Sequence, residues 1–214
     1  LYCSKKRKES LKKAIEDKME LVIFDDGLQD KSLNYDLKIV CFNSEKWIGN
    51  GFIIPSGPLR EDISSLKKYD LVFINGSNED NSEIKKVVKK YNQNIEIFET
   101  NYEIKNLEKY DRKIDYLIFS GIGNPDSFLE TLKKFNFKVI KELNFPDHYE
   151  YLDKDIKKIK EIAKNYNAQI LTTEKDFVKI NSNHSDGINY LKIDMKIKDE
   201  EKLIKFVKSK LWNQ

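Results

Sequence analysis

The stretch DYLIFSGIGNPDSF, residues 115–128, indicates the fold class of this chain most directly. Its first six residues are largely apolar without strict alternation, as expected of a strand that is covered on both faces in a parallel sheet. A turn with two glycines follows, and Asn124 and Pro125 suit the N-cap and the first position of a helix. A strand that leads through a short turn into a helix is the repeating element of α/β proteins.

Apolar runs and amphipathic segments alternate in the same way along most of the chain. Helical spacing connects Ile84, Val87, Val88 and Tyr91, and similar faces occur in residues 151–166 and 203–211. Apolar runs that predict strands lie at 21–24, 37–42, 71–74, 95–98, 115–120, 137–143, 168–173 and 188–193. We therefore predict an α/β fold with a mainly parallel sheet, divided near the polar stretch 101–113 into domains 1–103 and 104–214.

The composition narrows the classes of partner. With 39 Lys+Arg residues against 36 Asp+Glu residues, the formal net charge is +3, and the charges form no basic arm, so we expect no nucleic-acid partner. No apolar run approaches the ~20 residues that a membrane-spanning helix needs. The two cysteines, Cys3 and Cys41, lack the spacing of a metal site, and Cys41 is interpreted as a buried small residue. Only Arg7, Arg60 and Arg112 are arginines, and each can mark a place that needs a planar guanidinium.

Adjacent aspartates form the first candidate site. In LVIFDDGLQD, residues 21–30, the predicted strand 21–24 runs directly into Asp25 and Asp26. Carboxylates at the carboxyl end of a strand in an α/β sheet face the crevice that binds ligands. One carboxylate there can hold Mg²⁺, and the second can orient a nucleophile or a water. An ordinary turn is the alternative, because Asp-Gly is a common turn pair.

The loop WIGNGFIIPSGPLRE, residues 47–61, is rich in residues that fix the backbone. It contains three of the eight glycines and two of the four prolines, and Asn50-Gly51 alone would suit a hairpin turn. An arginine on a rigid loop can grip a phosphate with two hydrogen bonds, and Glu61 could orient Arg60 or approach a metal. Its apolar residues are interpreted as core, with contact to acyl chains as the alternative.

Three further stretches combine polar residues with turns. In FPDHYEY, residues 145–151, His148 could relay a proton or tune a neighbouring carboxylate, or simply cap the turn. In TTEKDFVKI, residues 172–180, Thr173 and Asp176 have the spacing of a capping box. GIGNPDSF begins like a dinucleotide fingerprint, but Asp126 stands where the third glycine is expected, so NAD binding is not predicted.

Taken in order, DDGLQ, GNGFIIPSGPLRE, GIGNPDSF, FPDHYEY and TEKDFVK resemble the tetraacyldisaccharide 4′-kinase family, the lipid A 4′-kinases of Gram-negative bacteria. The resemblance implies a P-loop α/β domain with a second, smaller α/β domain. It also implies that Mg²⁺ and ATP are used to phosphorylate the 4′-hydroxyl of a tetraacylated glucosamine disaccharide 1-phosphate. The expected location is the cytoplasmic face of the inner membrane, whose surface is then a partner, and we expect a monomer.

The resemblance also assigns roles to individual residues. Asp25 and Asp26 match the family's Walker B pair, with Asp25 as the main Mg²⁺ ligand and Asp26 as a second metal-facing and catalytic carboxylate. His148 matches the histidine that partners a catalytic aspartate. At positions 28 and 30 the pattern differs, because Leu28 and Asp30 replace Phe and His, and no role is assigned there. Residues that match positions facing substrate, nucleotide or metal are Gln29, Asn50, Arg60 and Glu61.

Three segments of the family pattern are not found in this chain, one of which is the apolar N-terminal helix that helps membrane docking. No glycine is followed by lysine, so the Walker A loop GxxxxGK[ST] is missing, as is the Gly-Asp-Glu segment that bears the catalytic aspartate. Both precede the aspartate pair in the family, whereas this chain begins at Leu1 without a methionine. We expect a truncated kinase sequence that is inactive alone. The alternatives are another P-loop phosphotransferase or ATPase with a soluble substrate, and a non-catalytic paralogue.

Overall fold

The computed structural model describes residues 1–76 and 80–212 of the chain. Its helices are α1 (Arg7–Glu16), α2 (Ser82–Tyr91), α3 (Pro125–Lys134), α4 (Asp153–Asn165), α5 (Glu174–Phe177) and α6 (Glu200–Leu211). Its strands are β1 (Ile39–Asn43), β2 (Leu71–Asn75), β3 (Glu96–Ile104), β4 (Asp115–Ser120), β5 (Lys138–Asn144), β6 (Gln169–Thr173), β7 (Ile188–Leu191) and β8 (Ile193–Ile197). Within these residues, no helix combines the length and the apolar character that crossing a bilayer requires.

The chain divides into two compact units. The first consists of Leu1–Asn101 with Ile197–Gln214, and the second is Tyr102–Lys196. The chain therefore passes from the first unit to the second within β3 and returns within β8. The domain division expected from the sequence differs here, since it assigned all of 104–214 to the second domain. The difference arises because β8 joins the sheet of β1, β2 and β3, which brings the last residues back to the first unit.

The first unit is built on a sheet with strand order β1-β2-β3-β8, in which β1, β2 and β3 are parallel. Its core contains Val72 and Ile74 of β2 and Val88 of α2, and the helical face predicted around Val88 packs there. Cys41 is exposed and not buried as expected. The reason is strand alternation, because its neighbours in β1 point to the core and leave Cys41 on the other face.

The strand predicted at 21–24 is wrong. These residues are irregular, and Leu21 and Ile23 are 48% and 86% exposed. An apolar run becomes a strand only where a neighbouring segment completes its hydrogen-bond ladder, and none of the described residues pairs with this one. The other predicted strands are present within a few residues, except that β3 ends at Ile104, well beyond the predicted 95–98. Helix α1, which buries only Ala14, and strand β8, whose residues are mostly exposed, were not predicted.

The second unit confirms the prediction made from residues 115–128. All four strands are parallel in the order β5-β4-β6-β7, with β4 inside the sheet. Leu117 and Phe119 of β4 pack into a core with α4, and Tyr116 and Ile118 pack into a second core with α3. Because helices cover both faces, every residue from Tyr116 to Ser120 is buried, which explains the absence of polar alternation.

The connections that follow β4 and β5 diverge to opposite sides of β4. The chain leaves β4 through α3 to reach β5 on one side, and then crosses through α4 to β6 on the other side. Ligands of open α/β sheets bind where the connections diverge in this way. Two loops, at residues 121–124 and 145–151, meet the start of α5 at the carboxyl end of β4, and these segments include the polar stretches noted in the sequence.

Candidate active site

In the first unit, a short ion pair joins Asp26 to Arg60. The Arg60 Nη1 donates to Asp26 Oδ1 at 2.5 Å, and both side chains are more than half exposed. The hydrogen bond from Arg60 holds the pKa of the Asp26 carboxyl below its usual range, and the same bond raises the pKa of Arg60. The structure thus brings together two of the predicted residues, in their charged forms, although 34 positions separate them in the chain.

The aspartate turn is also held by Arg7, to which the sequence analysis gave no specific role. Its Nη2 donates to the backbone oxygens of Asp25 at 3.3 Å and Asp26 at 2.9 Å, and Nη1 lies 3.8 Å from a carboxylate oxygen of Asp30. Asp26 is held in the left-handed conformation, with φ of 55°. The sequence feature that could have indicated a role for Arg7 was the rarity of arginine in this chain. At both Arg7 and Arg60 the guanidinium contacts the turn at Asp25 and Asp26.

The Asp25 carboxylate has the chemistry of a magnesium ligand. It is exposed, and none of the described residues donates a hydrogen bond to it, whereas the Asp26 carboxylate is engaged by Arg60. The described residues contain no cluster of three or more His, Cys, Asp or Glu side chains that could enclose a metal ion. Mg²⁺ commonly binds through one or two carboxylates, with waters and phosphates completing its shell. The donor set fits such an open site and not an all-protein cage.

The loop at residues 49–59 is fixed by its own hydrogen bonds. The Asn50 Nδ2 donates to the Ser56 oxygen at 2.8 Å, and Asn50 Oδ1 accepts from the Phe52 N–H at 3.2 Å. A side chain at Gly57 would lie 2.2 Å from Asn50 Oδ1, so only glycine fits there. Both polar ends of Asn50 are thus used inside the loop, and its role toward substrate stays a prediction.

Glu61 is partly buried in a network of hydroxyl and amide groups. The Tyr69 hydroxyl donates to Glu61 Oε2 at 3.0 Å, and the side chains of Ser65 and Gln29 also contribute hydrogen bonds. Burial alone would raise the pKa of Glu61, but these bonds outweigh it and lower the pKa. Burial and the Glu61 contact raise the pKa of Tyr69 to about 12. The structure therefore joins Gln29 and Glu61, two residues predicted separately.

In the second unit, His148 stands at the carboxyl edge of the sheet. Its backbone is left-handed, with φ of 59°, and its N–H donates to Gly121 O at 3.2 Å and to Asp147 Oδ1 at 2.9 Å. Its side chain is 75% exposed, with Nε2 3.8 Å from Asp147 Oδ2. Lys175 Nζ lies 3.8 Å from the other oxygen of Asp147. The imidazole is therefore accessible to a ligand and stands beside a carboxylate.

Asp176 was predicted only as half of a capping box, and the structure gives its side chain further partners. Its side chain is fully buried, and it accepts from the Gly121 N–H at 3.0 Å, the Thr173 hydroxyl at 2.7 Å and the Lys179 ammonium at 2.9 Å. The Thr173 half of the predicted capping box is present, because its hydroxyl accepts from the Asp176 N–H. The return contact differs, since the short Asp side chain reaches the end of β4 and not the backbone of residue 173.

The glycines of GIGNPDSF lie against the loop of residues 145–151. A side chain at Gly121 would approach the Tyr151 hydroxyl to 3.0 Å, and one at Gly123 would approach Asp147 Oδ2 to 3.1 Å. Pro125 is the first residue of α3 as expected, although Asn124 makes no side-chain cap, and Ser127 donates instead to the Asn124 oxygen. Close approach between two loops, and not a dinucleotide, accounts for these glycines.

Comparison with known proteins identifies relatives that match nearly the whole chain. A family model described as tetraacyldisaccharide-1-P 4′-kinase matches residues 1–212. The chain is 46% identical to the tetraacyldisaccharide 4′-kinase of Pelagibacter ubique over 203 residues, which are 95% of this chain and 65% of that protein. It is 34% identical to the Rickettsia akari enzyme of the same name, over all of this chain and 64% of that protein.

A solved structure agrees with these matches. The crystal structure of LpxK from Aquifex aeolicus, in complex with ATP, aligns with a TM-score of 0.66 and 25% identity over 96% of this chain and 62% of that one. The chain thus spans less than two thirds of the length of the relatives to which it is compared. The match over residues 1–212 shows that this chain belongs to the tetraacyldisaccharide 4′-kinase family.

Proposed function

We propose that this chain forms part of a kinase that phosphorylates the 4′-hydroxyl of a tetraacylated glucosamine disaccharide 1-phosphate, a lipid A precursor. The observation that carries the proposal is the family match over residues 1–212. It is supported by the geometry, because the family's aspartate pair, arginine loop and histidine loop occur here as ordered, hydrogen-bonded groups. ATP is the proposed donor, as in the complex of the Aquifex aeolicus relative.

The proposed reaction places clear demands on the protein. The γ-phosphoryl group leaves ADP and bonds to the 4′-oxygen of the sugar, whose proton passes to a base. Phosphoryl transfer needs accurate positioning and neutralisation of negative charge more than covalent catalysis. Residues of this chain can be assigned to both demands.

The turn at Asp25 and Asp26 and the segment that carries Arg60 are the groups proposed to bind the phosphates. Asp25, together with Asp26, would hold Mg²⁺, which supplies positive charge against the phosphate oxygens when bound. Asp26 also orients Arg60 through their ion pair. The guanidinium has five N–H groups and remains 57% exposed, so its free edge can donate to an anionic oxygen. Gln29 and Glu61 support this region through the Tyr69 network.

His148 is proposed to assist removal of the proton from the sugar hydroxyl. Its exposed imidazole can hold or accept a proton, and its Nε2 lies 3.8 Å from a carboxylate oxygen of Asp147. The family resemblance adds an aspartate as the direct base, with His148 as its partner. The Gly-Asp-Glu segment that bears this aspartate does not occur in the 214 residues, so we propose that His148 completes a base contributed by sequence outside them.

Three consecutive apolar residues suit a lipid partner. Phe52, Ile53 and Ile54 lie within the loop of residues 49–59, which its internal hydrogen bonds hold in place, and they are exposed and not part of the core as interpreted from the sequence. Exposed apolar side chains on a rigid loop can enter the boundary between headgroups and acyl chains. This supports the proposal that the protein works at a lipid surface, which we propose to be the cytoplasmic face of the inner membrane; we further propose that it acts as a monomer.

A chimaera tests the proposed function. The part of the Pelagibacter ubique kinase that precedes the matched segment is joined to these 214 residues, and transfer of labelled phosphate from ATP to the disaccharide acceptor is measured. We expect turnover, and we expect His148→Ala to reduce it about 100-fold or more while ATP affinity stays nearly unchanged. His184→Ala, the other histidine of the chain, is the matched control and should leave turnover unchanged.

Three outcomes would contradict the proposal or part of it. A folded chimaera that binds ATP but transfers no phosphate would favour a non-catalytic paralogue. Transfer to a soluble sugar in preference to the acylated disaccharide would favour a different phosphotransferase. Normal turnover of His148→Ala would remove the role assigned to that residue.

A further inference from the structure

The starting point is the buried carboxylate of Asp176. It is the one fully buried charged side chain among the described residues, and the Lys179 ammonium lies 2.9 Å from it. A buried carboxylate is costly unless it is paired and hydrogen-bonded, and Asp176 has an ammonium, a hydroxyl and a backbone N–H as donors. The cap of the four-residue helix α5 is made by the Asp176 N–H to the Thr173 hydroxyl, so capping does not require these contacts to the carboxylate.

The backbone N–H that Asp176 accepts belongs to Gly121, at the end of β4. Gly121 also accepts, through its carbonyl oxygen, the N–H of His148 at 3.2 Å. There is little free space on this residue, because a Cβ would lie 3.0 Å from the Tyr151 hydroxyl and 3.2 Å from the Pro146 oxygen. The position of the Gly121 backbone is therefore transmitted directly to the loop of residues 145–151.

His148 depends on that support more than an ordinary loop residue does. Its φ of 59° places it in the left-handed region, which a residue with a side chain occupies only when its surroundings hold it there. The hydrogen bonds that hold it are made by its own N–H, to Gly121 and to Asp147. The direction of the imidazole follows from this backbone conformation, since the side chain itself is largely exposed.

We propose that Asp176 is a positioning residue for His148, and that it acts by fixing the Gly121 backbone that accepts the His148 N–H. The catalytic consequence rests on the proposed kinase function, whereas the positioning itself does not. Thr173 and Lys179 hold the Asp176 carboxylate in the orientation that reaches Gly121. A purely stabilising role for Asp176 is the competing explanation, and it predicts no particular effect at residue 148.

The test uses NMR on the ¹⁵N-labelled 214-residue chain, which contains only two histidines. In Asp176→Asn, we expect the amide and imidazole signals of His148 to shift while those of His184 stay in place. Amide exchange at His148 should rise about tenfold or more relative to the amides of Leu117 and Ile118 in β4, which report opening of the whole unit. Asp111→Asn, an exposed carboxylate of the same unit, is the matched control and should change neither readout.

Gly121→Ala provides a second route to the same answer. Its added methyl group meets the loop of residues 145–151 and leaves Asp176 intact, so it should shift the His148 signals in the same selective way. The proposal is overturned if exchange at His148 and in β4 increases by the same factor in Asp176→Asn, or if the His148 signals stay in place in both variants. Neither readout depends on phosphate transfer, so a failed kinase assay leaves this test decisive.

Discussion

At the scale of single residues, arginine and lysine are not equivalent at position 60. The Arg60–Asp26 pair is exposed, so it contributes well under ~1 kcal/mol to the free energy of unfolding. The planar guanidinium fork of Arg60 can contact Asp26 and a phosphate at the same time, whereas the ammonium of a lysine acts as a point charge.

We therefore expect Arg60→Lys to leave the urea midpoint almost unchanged and to reduce turnover of the active chimaera about tenfold. Arg112→Lys, at another exposed position, is the control and should affect neither quantity. Equal turnover of wild type and Arg60→Lys would show that the fork is not used.

The buried Asp176 carboxylate predicts that the free energy of unfolding depends on pH. Burial acts to raise the pKa of this carboxyl, but the Gly121 N–H, Lys179 and Thr173 outweigh it, and the pKa lies below its ordinary value of 3.8. Because the folded pKa is the lower one, ionised Asp176 stabilises the fold above the ordinary value, and this contribution is lost as the pH falls through the folded pKa.

Urea unfolding of wild type and Asp176→Asn measures that contribution. We expect the free energy of unfolding of wild type to exceed that of Asp176→Asn by about 2–3 kcal/mol at neutral pH. The difference should narrow once the pH falls below about 4, as the wild-type carboxyl takes up a proton. A difference that stays constant down to about pH 3 would mean that the charge of Asp176 does not stabilise the fold.

How far residues could be predicted depends on the distance of their partners along the chain. Asp25, Asp26, Arg60 and His148 were singled out from local patterns, but their partners could not be read from the sequence. Asp176 shows the limit most clearly, because its spacing to Thr173 suggested a local cap. Its decisive contact is with Gly121, 55 residues away, and no local pattern encodes that contact.

At the scale of elements, two similar apolar runs have different outcomes. DYLIFS forms β4, with strands on both sides and helices on both faces, whereas LVIF at 21–24 is irregular. The side chains alone do not distinguish them. What differs is the presence of neighbours that complete the hydrogen-bond ladder, which is why α/β alternation predicted the second unit well and residues 21–24 poorly.

The loop of residues 49–59 makes a prediction at this scale. If its exposed apolar side chains enter a lipid surface, Phe52→Ser combined with Ile54→Ser should weaken binding to vesicles of anionic phospholipid about tenfold. Stability should change little, because both side chains are more than 60% exposed. Ile204→Ser, a half-exposed position in α6, is the control for cosedimentation, and equal loss in both variants would exclude a specific role of the loop.

At the scale of the whole molecule, the first unit is assembled from two separated parts of the chain. Lys202 of α6 donates to Glu96 at 2.7 Å and lies over the Phe98 ring, and Lys210 lies 3.4 Å from Asp70. We expect a chain that ends after residue 197 to lose hydrogen-exchange protection in β2 and β3 while β4 and β6 keep theirs. Loss of protection in both units would show that they unfold together.

The discontinuity of the first unit also has a consequence for synthesis. Tyr102–Lys196 leaves the ribosome as one continuous segment, whereas the first unit also needs residues from Ile197 onward, which are made after that segment. Domains generally fold as units once their residues have emerged. We therefore expect the order of folding on the ribosome to reverse the order in the sequence, with the later unit complete before the earlier one.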